Sequence, residues 1–262
     1  MKIFSKLSIV ALIAILLFNG CKKNAINYSD FEYVSPDQAR IKVNYNVAFR
    51  NDPFVQIKVN GVRVSGTNVI TRFPFPGGGL NTNGGNTGDY LPVTPGNTEV
   101  SISIPKRGTN IDSVEIYKTT MTTAAGKHYS LHVADTLATK GLPVEEDISY
   151  PDSGIVKFRF TNLMPNVPAV DLYIGSVLIM PNIAFMAISA PFTLPISQVN
   201  VSSTWAIRPA GAAPTSTALA TYNSASTLLS KRVYTVFATG YSGFPSTGTD
   251  KRRPFVSFYY VK

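Results

Sequence analysis

The sequence predicts an all-β chain made of two tandem copies of one domain, on three observations. The first is a hairpin signature that occurs twice at an offset of 115 residues. Val55, Ile57 and Val59 alternate with Gln56 and Lys58, Asn60-Gly61 follows, and Val62 and Val64 alternate with Arg63. In the second copy Val170, Leu172 and Ile174 alternate with Asp171 and Tyr173, Gly175-Ser176 turns the chain, and Val177 and Ile179 continue. Alternation puts the apolar side chains on one face of each strand, and the two dipeptides suit type I′ and type II′ turns. The second observation is composition: only 15% of residues are charged, while 19 Gly and 18 Pro supply turns, the balance of an all-β protein. The third is length, since 262 residues accommodate two units of roughly 110 residues that each bury a core.

The organisation that follows is an export signal over residues 1–20, a lipidated N-terminus and tether over 21–38, and repeats over 39–150 and 151–262. Lys2 and Lys6 precede an apolar run from Leu7 to Phe18, and Gly20 stands just before Cys21. A run of twelve residues is too short to span a bilayer, so it reads as a signal. The single cysteine at its end resembles the lipobox of bacterial lipoproteins, which implies that Cys21 carries acyl chains and holds the protein to a membrane. Several chains on one residue meet the requirement for stable anchoring. The polar residues behind Cys21 lack periodicity and reach on the order of 50 Å when extended. Lys22-Lys23 stand where some surface-exported lipoproteins carry acids, which favours an outer-membrane lipoprotein facing the periplasm over one on the cell surface.

In the first repeat Ile41, Val43 and Tyr45 form an inward face, and Arg40, Lys42 and Asn44 an expected wet one. Residues 73–89 hold Pro74, Pro76, Gly77, Gly78, Gly79, Asn81, Asn83, Gly84, Gly85 and Gly88. That density of Gly and Pro predicts a loop. The second repeat has about 14 fewer residues there, so the loop is expected to be a private insertion with little burial, and a candidate recognition element. Strands are expected at Tyr90 to Val93, at Val100 to Ile104, at Val114 and Ile116, and at Tyr129 to Val133. His128 and His132, the only histidines, lie about 13 Å apart along a strand and cannot share a zinc at roughly 2 Å bonds. They read as solvent-facing. In the connector before the second repeat, Glu145-Glu146-Asp147 reads as a solvated run.

In the second repeat Val156, Phe158 and Phe160 match the first strand, and Tyr234, Val236 and Ala238 match Tyr129, Leu131 and Val133. Further strands are expected at Phe192 to Leu194, Val199 to Val201, Trp205 to Ile207 and Phe255 to Val261. Asn162-Leu163-Met164-Pro165, Val167-Pro168-Ala169-Val170-Asp171-Leu172-Tyr173, Asn182-Ile183-Ala184-Phe185 and Val233-Tyr234-Thr235-Val236-Phe237-Ala238-Thr239-Gly240 resemble domain of unknown function 4397, found in bacterial envelope lipoproteins. The resemblance implies two tandem immunoglobulin-like antiparallel β-sandwich domains and an exported, often lipidated protein. It implies no catalytic residue.

No Gly-x-Ser-x-Gly elbow, His-Glu-x-x-His, P-loop, dinucleotide fingerprint or paired cysteines occur, so neither an enzyme, a cofactor nor a metal is expected. The net charge of +9 reads as scattered lysines, and nucleic acid is not expected as a partner. What remains is a binding or adhesion module for a glycan or an envelope protein; the alternatives are a structural spacer and a carbohydrate-active hydrolase, since two distant carboxylates suffice for the last. Candidate contacts are Gly77, Gly78, Gly79, Asn81 and Asn83 of the insertion, Tyr173 and Trp205 as sugar-stacking rings, with core packing across the sheet as the other reading of Trp205, and Lys251, Arg252 and Arg253 for an anionic glycan. Asp171 reads as a surface partner for a lysine.

Overall fold

The computed structural model describes residue 35 onward except 81–86, 107, 110–111, 135–140, 200–203 and 224–227. Cys21, the signal, the tether up to residue 34, Asn81 and Asn83 therefore lie outside the described residues. The first repeat holds β1 (Ala39–Tyr45), β2 (Gln56–Val59), β3 (Val62–Arg63), β4 (Gly79–Leu80), β5 (Leu91–Val93), β6 (Gly96–Pro105), β7 (Asp112–Thr123), β8 (His128–Val133) and β9 (Leu142–Glu145). The second holds β10 (Ile155–Leu163), β11 (Ala169–Ile174), β12 (Val177–Ala184), β13 (Phe192–Pro195), a helical turn α1 (Ile196–Val199), β14 (Thr204–Pro209), β15 (Ala220–Asn223), β16 (Val233–Thr239) and β17 (Phe255–Tyr260).

Each repeat is two facing sheets, in orders β5-β1-β8-β9 and β3-β2-β6-β7, then β13-β10-β16-β17 and β12-β11-β14-β15. The all-β sandwich is as expected, and the second repeat copies the first strand for strand. Pairing is antiparallel but for one ladder per repeat, β1 on β8 and β10 on β16. Alternation explains the cores. Ile41, Val43, Ile57, Val100, Ile102 and Leu131 meet between the first two sheets; Phe158, Phe160, Leu172, Trp205, Val236 and Phe258 meet between the second two. Asn60 and Gly61 take φ of +48° and +81°, and Gly175 takes +59°, so both hairpins turn as their dipeptides dictate.

Several expectations need correction. Val62 and Val177 are exposed, each being the first residue of an edge strand just past its hairpin turn. Ile196 to Val199 form the helical turn and not the start of a strand. Strand β9 runs through what reads as connector, its pattern hidden by Pro143 and the acids that follow.

The largest correction concerns the insertion. Strand β4 leaves its own repeat and adds to the edge of the other, with Leu80 opposite Phe258 and Gly79 opposite Tyr259. Leu80 joins the core of the second repeat, and Ser257 Oγ donates to its carbonyl. Gly78 sits at φ +92°, where a Cβ would meet the Thr87 carbonyl oxygen and Lys42 Nζ at 2.1 and 2.2 Å. The glycines thus allow close approach, and Gly77, Gly78 and Gly79 are packed in place of being offered to a ligand. Residues Pro36–Lys262 form one compact unit, and a third apolar cluster of Ala134, Leu163, Val233, Phe237, Tyr259 and Val261 joins the repeats.

Candidate functional site at the repeat junction

The outer face of β1 is the surface that the second repeat covers. Lys42 and Asn44, expected in water, are fully buried, as are Ser130 and His132 on the neighbouring β8. The register explains the grouping: Lys42 lies beside Ser130 and Asn44 beside His132. Lys42 Nζ donates to the Tyr260 carbonyl at 2.6 Å and stands 4.4 Å above the Tyr259 ring. Asn44 Nδ2 and His132 Nδ1 are 3.0 Å apart, and with Asn44 donating, the imidazole proton rests on Nε2. Solvent-facing histidines are therefore corrected: His132 is enclosed, edge-on to Tyr259 at 5.3 Å, and His128 is half-buried against Tyr90 at 4.9 Å.

These burials set the charges. Desolvation holds the Lys42 amine down to about 7, against the pull of Asp89 and Glu146. Burial, then the Lys42 charge, holds His132 down to about 3. Burial pushes the Glu146 carboxyl up. The folded state therefore binds fewer protons than the unfolded chain between about pH 7 and 10.5 at Lys42, and between about pH 3 and 6.5 at His132. Stability rises with pH across both windows; the raised Glu146 opposes the rise as pH climbs above its ordinary 4.5. Melting temperature measured against pH should climb from pH 7 towards 10, and Lys42→Met should flatten that limb while sparing the rise that His132 contributes at acid pH.

The junction opens to solvent at a cleft of about 700 Å³ lined by Lys127, His128, Glu145, Glu146, Asp147, Ser149 and Arg159. Of the acidic triplet, Glu145 and Asp147 are exposed as expected of a solvated run, and the correction concerns Glu146 alone, which is buried. Glu145 pairs with Lys127 at 2.7 Å and Asp147 with Lys157 at 2.8 Å. The Lys157 hydrogen bond, with those from Ser149, holds Asp147 well below the usual carboxylate range. Glu146 turns the other way, as alternation requires, and is buried with Oε1 unpartnered. Arg159 Nη1 donates to the Glu145 carbonyl at 3.1 Å. Beyond Ser149 the Tyr150 ring is exposed, with Lys262 Nζ 5.4 Å from its centre.

The sequence-derived candidates fall elsewhere. Trp205 is fully buried between Phe158 and Phe258, so it is core and not a stacking platform. Tyr173 lies on an outer face but is covered by Arg208, 4.9 Å from its ring centre, and donates to the Ala212 carbonyl. Asp171 is buried and no lysine's partner; it accepts from the Asn182 and Gly211 amides at 2.7 and 2.9 Å. Lys251, Arg252 and Arg253 do cluster, together with Arg72, away from the cleft lining. Among the described residues no group of three metal-ligating side chains occurs, and no helix is long and apolar enough to cross a membrane.

The profile of one family, Domain of unknown function (DUF4397), matches residues 35–173 and again 157–250. The chain belongs to the DUF4397 family. The two overlapping matches place one DUF4397 copy from just before β1 into β11 and another from β10 to the turn before β17. No curated protein matches this DUF4397 chain. Among solved structures, CBMbc (family CBM26) from Eubacterium rectale Amy13K, in complex with maltoheptaose, is similar with 10% identity and a TM-score of 0.20, over 82% of this chain and 99% of that one.

Proposed function

We propose that this DUF4397 protein is a non-catalytic binding module of the cell envelope, held to a membrane by lipid on Cys21, with a neutral glycan as ligand in the junction cleft. The observation that carries the reading is the cleft itself. Its charges are balanced and mostly spent on one another, Glu145 on Lys127 and Asp147 on Lys157. A concave site with a few fixed polar groups suits a polyhydroxyl ligand whose hydroxyls both donate and accept. Tyr150, next in sequence to the lining Ser149, is exposed and offers an aromatic ring. Ion pairing also argues against catalysis: a carboxylate locked to a lysine is a poor acid and a poor nucleophile at neutral pH.

A hydrolase is the second reading, because Glu146 and Asp147 have environments that push their ionisation in opposite directions, the pattern of an acid and its partner. Glu146 Oε1 is sealed from solvent, which favours binding. Titration of soluble oligosaccharides into the Cys21→Ser chain should show affinity that Tyr150→Ala weakens by roughly tenfold, at a stacking contribution of about 1.4 kcal/mol, with the sugar recovered intact. Sugar cleaved by wild type and untouched by Glu146→Gln would replace the binding reading with the hydrolase. The same Cys21→Ser change should move the protein from membrane pellets to the soluble fraction; unchanged pelleting would remove the anchor.

A further inference from the structure

We propose that Arg72 and Arg253, contributed by opposite repeats, form a site for a phosphate group. Arg72 belongs to the first repeat and Arg253 stands just before β17 of the second. Their guanidinium carbons lie 4.3 and 5.8 Å from the centre of the Phe255 ring. Arg72 Nη2 donates to the Lys251 and Arg253 carbonyls at 3.4 and 3.2 Å. Arg253 Nη1 donates to the Gly248 carbonyl at 2.7 Å. Arg72 Nε is buried without a partner, although both side chains remain partly exposed.

The carboxylates nearby are engaged elsewhere. Asp250 receives the Arg252 fork at 3.1 and 2.9 Å. Asp52 accepts from the Thr71 amide at 3.1 Å and reaches Lys251 Nζ at 3.8 Å. Among the described residues neither Arg72 nor Arg253 makes an ion pair. Arg50, Arg72, Lys251, Arg252 and Arg253 thus face Asp52 and Asp250, a local excess of positive charge.

Like charges held close repel, and burial together with the Arg253 charge lowers the Arg72 guanidinium to about 10, against the pull of Asp52. The fold tolerates this because backbone carbonyls and the Phe255 ring hold both groups. Two guanidiniums with spare donors and no ion-paired carboxylate match an oxyanion that accepts several hydrogen bonds at once. A phosphate monoester, close to a dianion at neutral pH, offsets that excess further than a single carboxylate does. Of the cations expected to meet an anionic glycan, Arg252 is removed by Asp250, and Arg72, which the sequence does not mark, takes its place. At an envelope two sources carry this chemistry, a lipid headgroup and a phosphorylated sugar.

The test uses the full chain with Cys21→Ser, so that no anchor inserts into vesicles. Inorganic phosphate and glucose 6-phosphate are titrated calorimetrically, and co-sedimentation is measured with vesicles of phosphatidylcholine alone or mixed equally with phosphatidic acid. Binding to a phosphate-bearing probe should weaken roughly tenfold in Arg72→Gln and in Arg253→Gln, the scale of one charge-assisted hydrogen-bonding group. Lys118→Gln, an equal loss of charge on exposed β7, should leave it unchanged. Arg253→Gln keeps the test open if Arg72→Gln does not fold. Retention by phosphatidic acid vesicles alone names the headgroup as the source, and binding of glucose 6-phosphate names the sugar. Failure of every phosphate probe, or equal affinity in Arg253→Gln and Lys118→Gln, overturns the proposal. The cleft and its glycan are tested separately, so either can fail without the other.

Discussion

Deleting residues 77–87 should lower the stability of the protein by about 3 kcal/mol or more, despite the loop-like composition of the segment. Leu80 is buried in the core of the second repeat, and removing a buried leucine side chain costs roughly 2–5 kcal/mol. The deletion also takes the β4 ladder from the edge of β17 and uncovers Lys42, over which Gly78 is packed. For a unit of this size each kcal/mol moves the midpoint by about 2–4 °C, so the melting temperature should fall by roughly 6–12 °C. Leu80→Ala alone should give most of that fall. Thermal unfolding followed by circular dichroism measures both, and a shift below about 2 °C would mean that the insertion is only a surface excursion.

The second large effect is expected at Trp205. Its ring lies 5.4 Å from that of Phe158 and 5.1 Å from that of Phe258, edge-on to the latter, and no part of it reaches solvent. Trp205→Ala should cost about 3–5 kcal/mol through lost burial and the cavity left behind. Denaturant unfolding should show a lower midpoint at an unchanged slope. Glycan affinity per folded molecule should stay at the wild-type value, because the ring faces the core and not the cleft. Affinity lost with stability intact would restore Trp205 as a ligand contact.

The sandwiches were legible because local rules decide them. The alternation of Ile41, Val43 and Tyr45, the Asn60-Gly61 turn and the 115-residue offset each follow from a strand's period of two and from backbone sterics. The junction was not legible, for a physical reason. Alternation says that Lys42 shares a face with Asn44, but not whether water or another sheet meets that face. The same limit hid His132 and Glu146, polar residues at positions that in an isolated repeat would be wet. Gly78 reads as a loop residue, since a glycine that permits flexibility and one that permits close approach look alike in sequence. Trp205 was open to two readings, and packing decided between them. Arg72 carried no signal at all: its partner Arg253 lies 181 residues away, and only the fold brings them together.

The cleft, the phosphate site and the buried Lys42 all sit where the repeats meet, so the account rests on the repeats being one folding unit. Differential scanning calorimetry of the full Cys21→Ser chain tests this most directly. A single transition whose calorimetric enthalpy equals its van't Hoff enthalpy is the predicted result. Two resolved transitions, or a van't Hoff enthalpy near half the calorimetric one, would show that the repeats melt independently and that the junction does not join them.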